Sequence, residues 1–401
     1  MDNISGAIPL TREPLAITRG MTFVMAVACG LIVANIYYVQ PLAGPIAAAI
    51  GLPMAATGVI VTLTQIGYGV GLLLLVPLCD LLENRRVILV MIGATAVALA
   101  VAGLASAALP FLAAALAIGL SSTVVQMLVP LAASMAPEER RGQVVGQVVG
   151  GLMLGIMMAR PLASFGTDVS SWHAVFLAAA AVMVVVGGVL AAMLPRRVPK
   201  TRLTYLELLR SMVTLVITQP VLRTRATYQF LLFASFSLFW TLTPLLLAGP
   251  PFNLTQSGIG LFALAGVTGA VASPIAGYLA DKGLDRAATL AGILAAMLSY
   301  MITLLPLSGS TAALVLLVLA AVLIDFGLTL NVVIGQRAIY GLAPELRSRL
   351  NGLFGSSAFV GGAMGSALGG WAYAQGGWSA AAAIGIALPT IALCYFALRR
   401  A

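Results

Sequence analysis

The sequence predicts an all-α membrane protein of twelve transmembrane helices arranged as two parallel six-helix pseudo-repeats. Three observations predict it. The 401 residues are 61% hydrophobic and 8% charged, whereas a soluble domain carries about 25% charged residues and is under half apolar. Apolar runs of bilayer-crossing length, about 20 residues each, recur along the whole chain, without the short alternating segments of a barrel. A charged island at Gly277–Arg286 has an echo at Val76–Arg86, with Asp80 and Asp281 201 positions apart, half the chain length.

Taken in order, residues 1–20 form a polar tail with Arg12 and Arg19. Span 1 is expected over Met21–Ala43 and span 2 over Ala55–Leu78, followed by the Asp80–Arg86 loop. Span 3 covers Val87–Leu109 and stops before Pro110, which cannot donate to a helix ladder. Span 4 covers Leu112–Met135, span 5 Gln143–Phe165 and span 6 Trp172–Leu194, closing a first bundle over 21–194. A polar connection over 195–225 carries Arg196, Arg197, Lys200, Arg202, Arg210, Arg223 and Arg225. Apolar residues at helical spacing in Tyr205–Ile217 predict a helix lying along the membrane surface. The second bundle, 226–398, holds spans 7 to 12 at Thr227–Leu247, Gln256–Ala280, Ala287–Leu307, Ala312–Gln336, Leu350–Tyr373 and Ser379–Leu398, leaving a tail at 399–401.

The repeat extends beyond the island. Pro41 with Pro244, Leu52 with Leu254 and Gly58 with Gly260 match at offsets of 202–203, and Gly146 with Gly352, Gly155 with Gly361 and Trp172 with Trp378 at 206. An even number of spans per copy makes the copies parallel, related by an axis along the membrane normal.

The net charge of +9 does not mark a nucleic-acid surface, because 20 of the 21 Lys and Arg residues lie in the tails and the loops after spans 2, 4, 6, 8 and 10. The loops on the other face hold none, so the positive-inside rule puts both termini in the cytoplasm. The first apolar run outlasts a signal peptide and is expected to be retained as span 1. Cys29, Cys79 and Cys394 are far apart and form no metal spacing, and a lone His173 makes no metal site. No phosphate-binding Gly-rich loop ending in Lys-Ser or Lys-Thr occurs, so no ATP drive, cofactor or metal is expected. The glycine-rich run Gly142–Gly155 belongs to a span.

The two loops resemble the signature of the major facilitator superfamily, Gly-x-x-x-Asp-Arg-x-Gly-Arg-Arg, placed between helices 2 and 3 and again between helices 8 and 9. Gly277, Asp281, Lys282, Gly283 and Arg286 follow the second copy; in the first, Asp80, Arg85 and Arg86 remain, while Val76, Leu81 and Glu83 replace other positions. The segments Asn35–Pro41, Gln336–Tyr340 and Arg347–Asn351 are similar to the bacterial drug:proton antiporter and sugar-efflux branch. Two features depart from the antiporter pattern: span 5 reads Gly155-Ile-Met-Met-Ala-Arg-Pro161 in place of Gly-Pro followed by Gly-Gly, and span 4 lacks an arginine. The resemblance implies a monomeric secondary transporter, not an enzyme. It would export a small organic, amphipathic or drug-like molecule by proton antiport and alternating access, with sugar or metabolite export or uncoupled uptake as alternatives. The Asp80 and Asp281 loops would act as conformational latches, each aspartate facing a helix N-terminus.

Ionisable residues inside spans are the sharpest functional signal, since each costs about 2.5–3.5 kcal/mol on insertion scales. Two lie deep, Arg160 in span 5 and Asp325 in span 10. Asp325 follows Ala312 by 13 residues, roughly 20 Å into a hydrocarbon core about 30 Å thick. A carboxyl there is a candidate proton carrier, a substrate contact or a structural hydrogen-bond partner. Arg160 is a counter-charge for it across the two halves, an anchor for an anionic substrate, or a clamp on carbonyls freed by Pro161. Span 1 offers Asn35 and Tyr38 on one face and Tyr37 and Gln40 on another. Span 4 offers Ser122 and Gln126, span 7 the aromatic residues Phe236 and Trp240, and span 10 Thr329 and Gln336. The resemblance places spans 1, 4, 7 and 10 around the central cavity. Small residues at four-residue spacing (Gly151, Gly155 and Ala159 in span 5; Ser357, Gly361, Gly365 and Gly369 in span 11) are expected to form the inter-half contact on which the bundles slide.

Overall fold

A computed structural model describes residues 17–198, 204–305, 310–342 and 346–399. Arg12, Lys200, Arg202, the final two residues expected for span 9 and the end of the C-terminal tail lie outside them. The described chain is helical and strand-free. Eleven helices are long and apolar enough to cross a membrane, and the last of them, Arg347–Leu398, is interrupted at Gly376 and Gly377, where φ is −145° and +60°. Glycine at 377 permits that positive φ without a Cβ clash, and the bend divides the helix into spans 11 and 12. The expected twelve spans are therefore present.

Several spans are broken, each before an internal proline. Span 1 runs Arg19–Ala34, turns through Asn35–Tyr38 and resumes as Val39–Ala49. Pro41 has no N–H for the Tyr37 carbonyl, which instead accepts from Gln40 N–H at 3.2 Å, while Asn35, Ile36 and Tyr37 donate three residues back. Span 4 divides at Thr123–Val124 ahead of Pro130, giving Ala108–Ser122 and Val125–Met135. Span 8 passes through a 3₁₀ segment, Leu264–Thr268, between Gln256–Ala263 and Gly269–Asp281, ahead of Pro274. Span 5, in contrast, is unbroken over Arg141–Val169 despite Pro161.

Side-chain caps start several of these helices. Thr18, Ser171, Thr255 and Ser310 each accept a backbone N–H in the first turn. The expected surface helix forms over Tyr205–Thr218, opened by a reciprocal capping box between Thr204 and Glu207. The Thr204 backbone N–H and hydroxyl hold the Glu207 carboxyl below the usual range. Leu208, Met212 and Leu215 form its buried face. Span 7 begins at Pro220, two turns before the expected Thr227, because proline is well suited to the first helical turn.

Two hydrophobic clusters are separate in sequence, one within 17–194 and the other within 228–392. Phe359 packs against both, with its ring 4.3 Å from Tyr68 and 5.2 Å from Phe233. The first and last described residues lie on one face: Ile17 N–H bonds the Met135 carbonyl, and Arg399 bonds Thr224.

The small-residue stripes act within each half, not between the halves as the spacing suggests. A Cβ on Gly155 would lie 2.2 Å from the Gly30 carbonyl oxygen of span 1, and one on Gly361 2.2 Å from that of Phe230 in span 7. The contact between halves runs instead along spans 2 and 11. There a Cβ on Gly58 would lie 2.2 Å from the Ser366 carbonyl, Thr62 bonds the Ala363 carbonyl at 3.1 Å, and Ser356 bonds that of Gly69 at 2.8 Å. Spans 5 and 8 also meet at the end away from the termini, where Ser257 bonds Asp168 and Gly260 approaches Ser164. Toward the terminal face Gly146, Gly150 and Gly277 meet nothing within 4 Å of an added Cβ.

Gly155→Leu and Gly361→Leu are expected to abolish recovery of monodisperse protein in size-exclusion chromatography. Gly58→Leu, whose clash lies between the halves, is expected to fold with spans 2 and 11 spread apart. A T62C/A363C cross-link should then form in the wild-type background and fail with Gly58→Leu; equal cross-linking in both would contradict this reading.

Candidate functional site

The span 1 break brings Tyr37 and Gln40 to Arg160. The Arg160 guanidinium is buried, its Nε donates to Gln40 Oε1 at 2.7 Å, and Nη2 has no hydrogen-bond partner. Three aromatic rings surround it. Its central carbon lies 4.3 Å from the Trp240 ring centre, 5.2 Å from that of Tyr37 and 5.5 Å from that of Phe236. Each ring face presents negative quadrupolar charge to a cation whose competing water has been removed. Arg160 bonds a side chain of span 1 and clamps no freed carbonyl of its own helix, contrary to the expectation raised by Pro161.

Asp325 is also buried, and its Oδ2 accepts from the Trp240 indole N–H at 2.9 Å. Among the described residues no ion pair within 4 Å joins Arg160 to Asp325; Arg337–Asp281 is the pair found. Trp240 therefore stands between the two charges, its ring face to the guanidinium and its edge to the carboxylate. The space is kept by Gly266, where a Cβ would lie 3.1 Å from the Trp240 ring and 3.6 Å from Asp325 Oδ1. Spans 1 and 5 of the first half and spans 7, 8 and 10 of the second all contribute to this one cluster.

The other candidates are dispersed. Asn35 turns to span 6, where its amide meets Met183 Sδ at 3.4 Å, and Tyr38 shares that face. Neither joins Arg160; both lie on a different face of span 1 from Tyr37 and Gln40. Gln126 bonds the Tyr68 hydroxyl at 3.2 Å and lines a separate crevice of about 300 Å³ with Asp80 and Arg197. Ser122 is buried with its hydroxyl unpartnered. Thr329 and Gln336 are half-buried on span 10, with no side-chain hydrogen bond to the cluster.

Two polar connections were not anticipated. Gln65 of span 2 donates to Ser237 of span 7 at 2.6 Å, and Ser237 and Thr241 meet Ser366 of span 11 at 2.8 and 3.2 Å. Asn331 donates to Gln229 at 2.8 Å. The available signal was an amide within an apolar run, and the i, i+4 pair Ser237 and Thr241.

At the terminal face, Arg337 at the end of span 10 pairs with Asp281 at 2.6 Å, with side-chain exposures of 49% and 78%. The aspartate's partner is thus an arginine and not a helix N-terminus. Gly283 takes the turn at φ +71°, Lys282 stacks over Tyr278, and Arg286 stacks over Phe396 and bonds the Arg399 carbonyl. In the first copy Asp80 ends a 3₁₀ turn without a hydrogen bond or ion pair among the described residues. Arg85 bonds the Ala191 carbonyl, and Arg86 is exposed.

The model of the Major Facilitator Superfamily matches residues 22–269 and 225–401. The uncharacterized transporter YgaY of Escherichia coli O157:H7 is 38% identical over 385 residues, 96% of each chain. The Streptomyces coelicolor protein named "Probable transporter SCO4007" is 32% identical over 362 residues, 90% of this chain and 83% of its own. Among solved structures, nucleoside transporter NupG superposes with a TM-score of 0.75 at 13% identity, covering 95% of this chain and 98% of its own. A bacterial Spinster homologue in an inward-facing, unoccupied conformation gives 0.71 at 13%, covering 95% and 96%. These two likenesses concern the fold.

Trp240→Phe keeps a ring over Arg160 but removes the donor to a buried carboxyl, a change worth about 1.5–3 kcal/mol. Thermal unfolding in detergent should register it clearly. Asp281→Asn breaks an exposed ion pair worth about 0–1 kcal/mol, and its unfolding curve should stay close to wild type.

Proposed function

The chain belongs to the major facilitator superfamily of membrane transporters, and from that premise we propose that it exports a small amphipathic organic compound in exchange for protons. It would work from a bacterial inner membrane with both termini in the cytoplasm, the two halves pivoting about the Arg160–Trp240–Asp325 cluster. The observation that carries the reading is that Trp240 holds Asp325 on its N–H edge and Arg160 on its ring face.

Arginine keeps its proton in essentially any protein environment. Asp325 is therefore the member of the cluster that can exchange one. Ionised, it offsets the buried positive charge and accepts a charge-assisted hydrogen bond from Trp240. Protonated, it loses that assistance, and Arg160 is left with Gln40 and three ring faces. The cluster joins spans 5 and 1 of one half to spans 7 and 10 of the other, so its strength biases how readily the halves separate.

Substrate acts on the same groups. Tyr37, Phe236 and Trp240 present aromatic surface, and apart from Arg160 and Asp325 the cluster is uncharged. Such a surface suits amphipathic organic molecules better than sugar phosphates or dicarboxylates. A molecule that stacks on these rings competes with the Arg160 contacts, whereas ionised Asp325 supports them. Proton and substrate then bias one two-state element, and their effects on each other's binding are reciprocal. The Asp281–Arg337 pair, at the terminal ends of spans 8 and 10, would adjust the rate of that motion and leave substrate choice alone.

A thermal-shift screen of aromatic amphipathic compounds supplies the probe, and proteoliposomes with and without an imposed pH gradient supply the test. Asp325→Asn is expected to lose gradient-driven accumulation while retaining probe-for-probe exchange. Full gradient-driven transport by both Asp325→Asn and Arg160→Ala would overturn proton coupling at this cluster. Accumulation only in the opposite membrane orientation would assign uptake.

A further inference from the structure

A cavity of about 590 Å³ lies away from Arg160, as a groove between spans 1 and 5. Its walls include Phe23, Leu154 and Leu162, which are 69%, 60% and 58% exposed. Toward the far face it continues into a second recess of about 350 Å³, sharing Leu31, Tyr38 and Leu162 and reaching Ala174 and Met183 of span 6. Span 6 packs on spans 1, 3 and 5 of its own half. The groove therefore opens on the outer side of the first half, toward lipid.

Its polar groups are confined to one end. Arg19 and Arg140 stand at the mouth on the terminal face, both exposed and neither side chain with a hydrogen bond or ion pair among the described residues. Gln143 and Gln147 come next down the same wall, exposed and without side-chain partners among those residues. Gln147 follows Arg140 by seven residues, roughly 10 Å along the helix, a depth comparable to the interfacial layer of about 5–8 Å on each side of the hydrocarbon core. Beyond Gln147 the lining turns apolar down to Tyr38. An amide facing bare hydrocarbon is costly unless it is hydrogen-bonded, and two arginines at the mouth favour anionic oxygen from the adjacent leaflet.

We infer that this groove holds an anionic phospholipid from the leaflet on the terminal face. Its phosphate lies between Arg19 and Arg140, its ester carbonyls accept from Gln143 and Gln147, and one acyl chain lies in the apolar trough. The trough is deep because Gly30, Gly151 and Gly155 let spans 1 and 5 approach backbone to backbone. The site depends on the membrane embedding of the chain and not on proton coupling.

The test is native mass spectrometry of purified protein in micelles containing equal phosphatidylglycerol and phosphatidylcholine, with thermal unfolding in parallel. Wild-type protein should retain and be stabilised by phosphatidylglycerol. R19Q/R140Q should lower that preference roughly thirtyfold, the effect of two basic residues beside an anionic surface. Val27→Trp, placed from an exposed position so that folding is spared, should reduce retention of the long-chain lipid by blocking the trough. Arg196→Gln removes an equivalent charge outside the groove and should leave the preference intact. Equal retention of the two lipids, an equal loss in Arg196→Gln, or equal stabilisation by glycerophosphate without acyl chains would overturn the assignment.

Discussion

A guanidinium that cannot shed its proton sits at the meeting point of the two halves, and the arrangement of several helices follows from housing it. Burying such a charge is tolerable only where partners replace water. Among the described residues Arg160 has no carboxylate in ion-pair contact. It is held by one amide oxygen and three ring faces, with the compensating carboxylate one tryptophan away. A direct buried ion pair would lock the halves. A charge on a ring face has softer geometry, so the bridge can yield without leaving either ion stranded in one step. Gly266 contributes by absence, since a Cβ there would crowd the Trp240 ring and reach van der Waals contact with Asp325.

The packing around the cluster separates two tasks. Within a membrane, helices gain little from burying apolar surface against one another, and close approach through small residues supplies the attraction instead. Gly30, Gly151 and Gly155 bind span 5 to span 1, while Gly361 and Gly365 bind span 11 to span 7. Each stripe consolidates a bundle. Between bundles the close approach of Gly58 to the Ser366 backbone is joined by side-chain hydrogen bonds, Gln65 to Ser237, Thr62 to the Ala363 carbonyl and Ser356 to that of Gly69, and by the shared ring of Phe359. Polar pairs of this kind inside membranes are worth only about 0.6–2 kcal/mol each, few enough to be exchanged during a motion. Rigid halves joined by replaceable contacts are what alternating access requires.

Hydropathy, loop charge and a half-chain repeat were enough to read the twelve spans, the surface helix at Tyr205–Thr218 and the two deep charges, because each is a property of one segment. What the sequence could not order was partnership. Gly151 and Gly155 carry the same small-residue signal whether they face span 1 or the other half, and periodicity does not name the partner. Asn35 and Tyr38 looked as eligible as Tyr37 and Gln40, since an unbroken helix shows both faces equally. Pro41 ends that symmetry by removing one N–H and tightening the preceding turn. Gln126 was misleading for a similar reason: an amide in a span shows that a polar partner exists, but Tyr68 fills that role as readily as a ligand. Trp240, selected as one aromatic residue among several, became the bridge because only its N–H edge can donate while its face receives a cation.

The span 1 break also explains how one helix serves two environments. Tyr37 and Tyr38 are consecutive, yet one ring lies against Arg160 and the other lines the lipid-facing groove. In a regular helix neighbours differ by about 100°, so Tyr38 continues the stripe of Leu31 and Ala34 while Tyr37 begins another face. The tightened turn at Asn35–Tyr38 lets the chain leave the Gly30–Gly155 contact and direct Tyr37 and Gln40 inward, while Tyr38 stays outward. Below the break, span 1 is fastened to span 5 by backbone contact; above it, Gly44 approaches Leu245 of span 7. The turn is thus the point where a helix anchored in one half begins to follow the other. It lies within reach of the only guanidinium buried among the described spans.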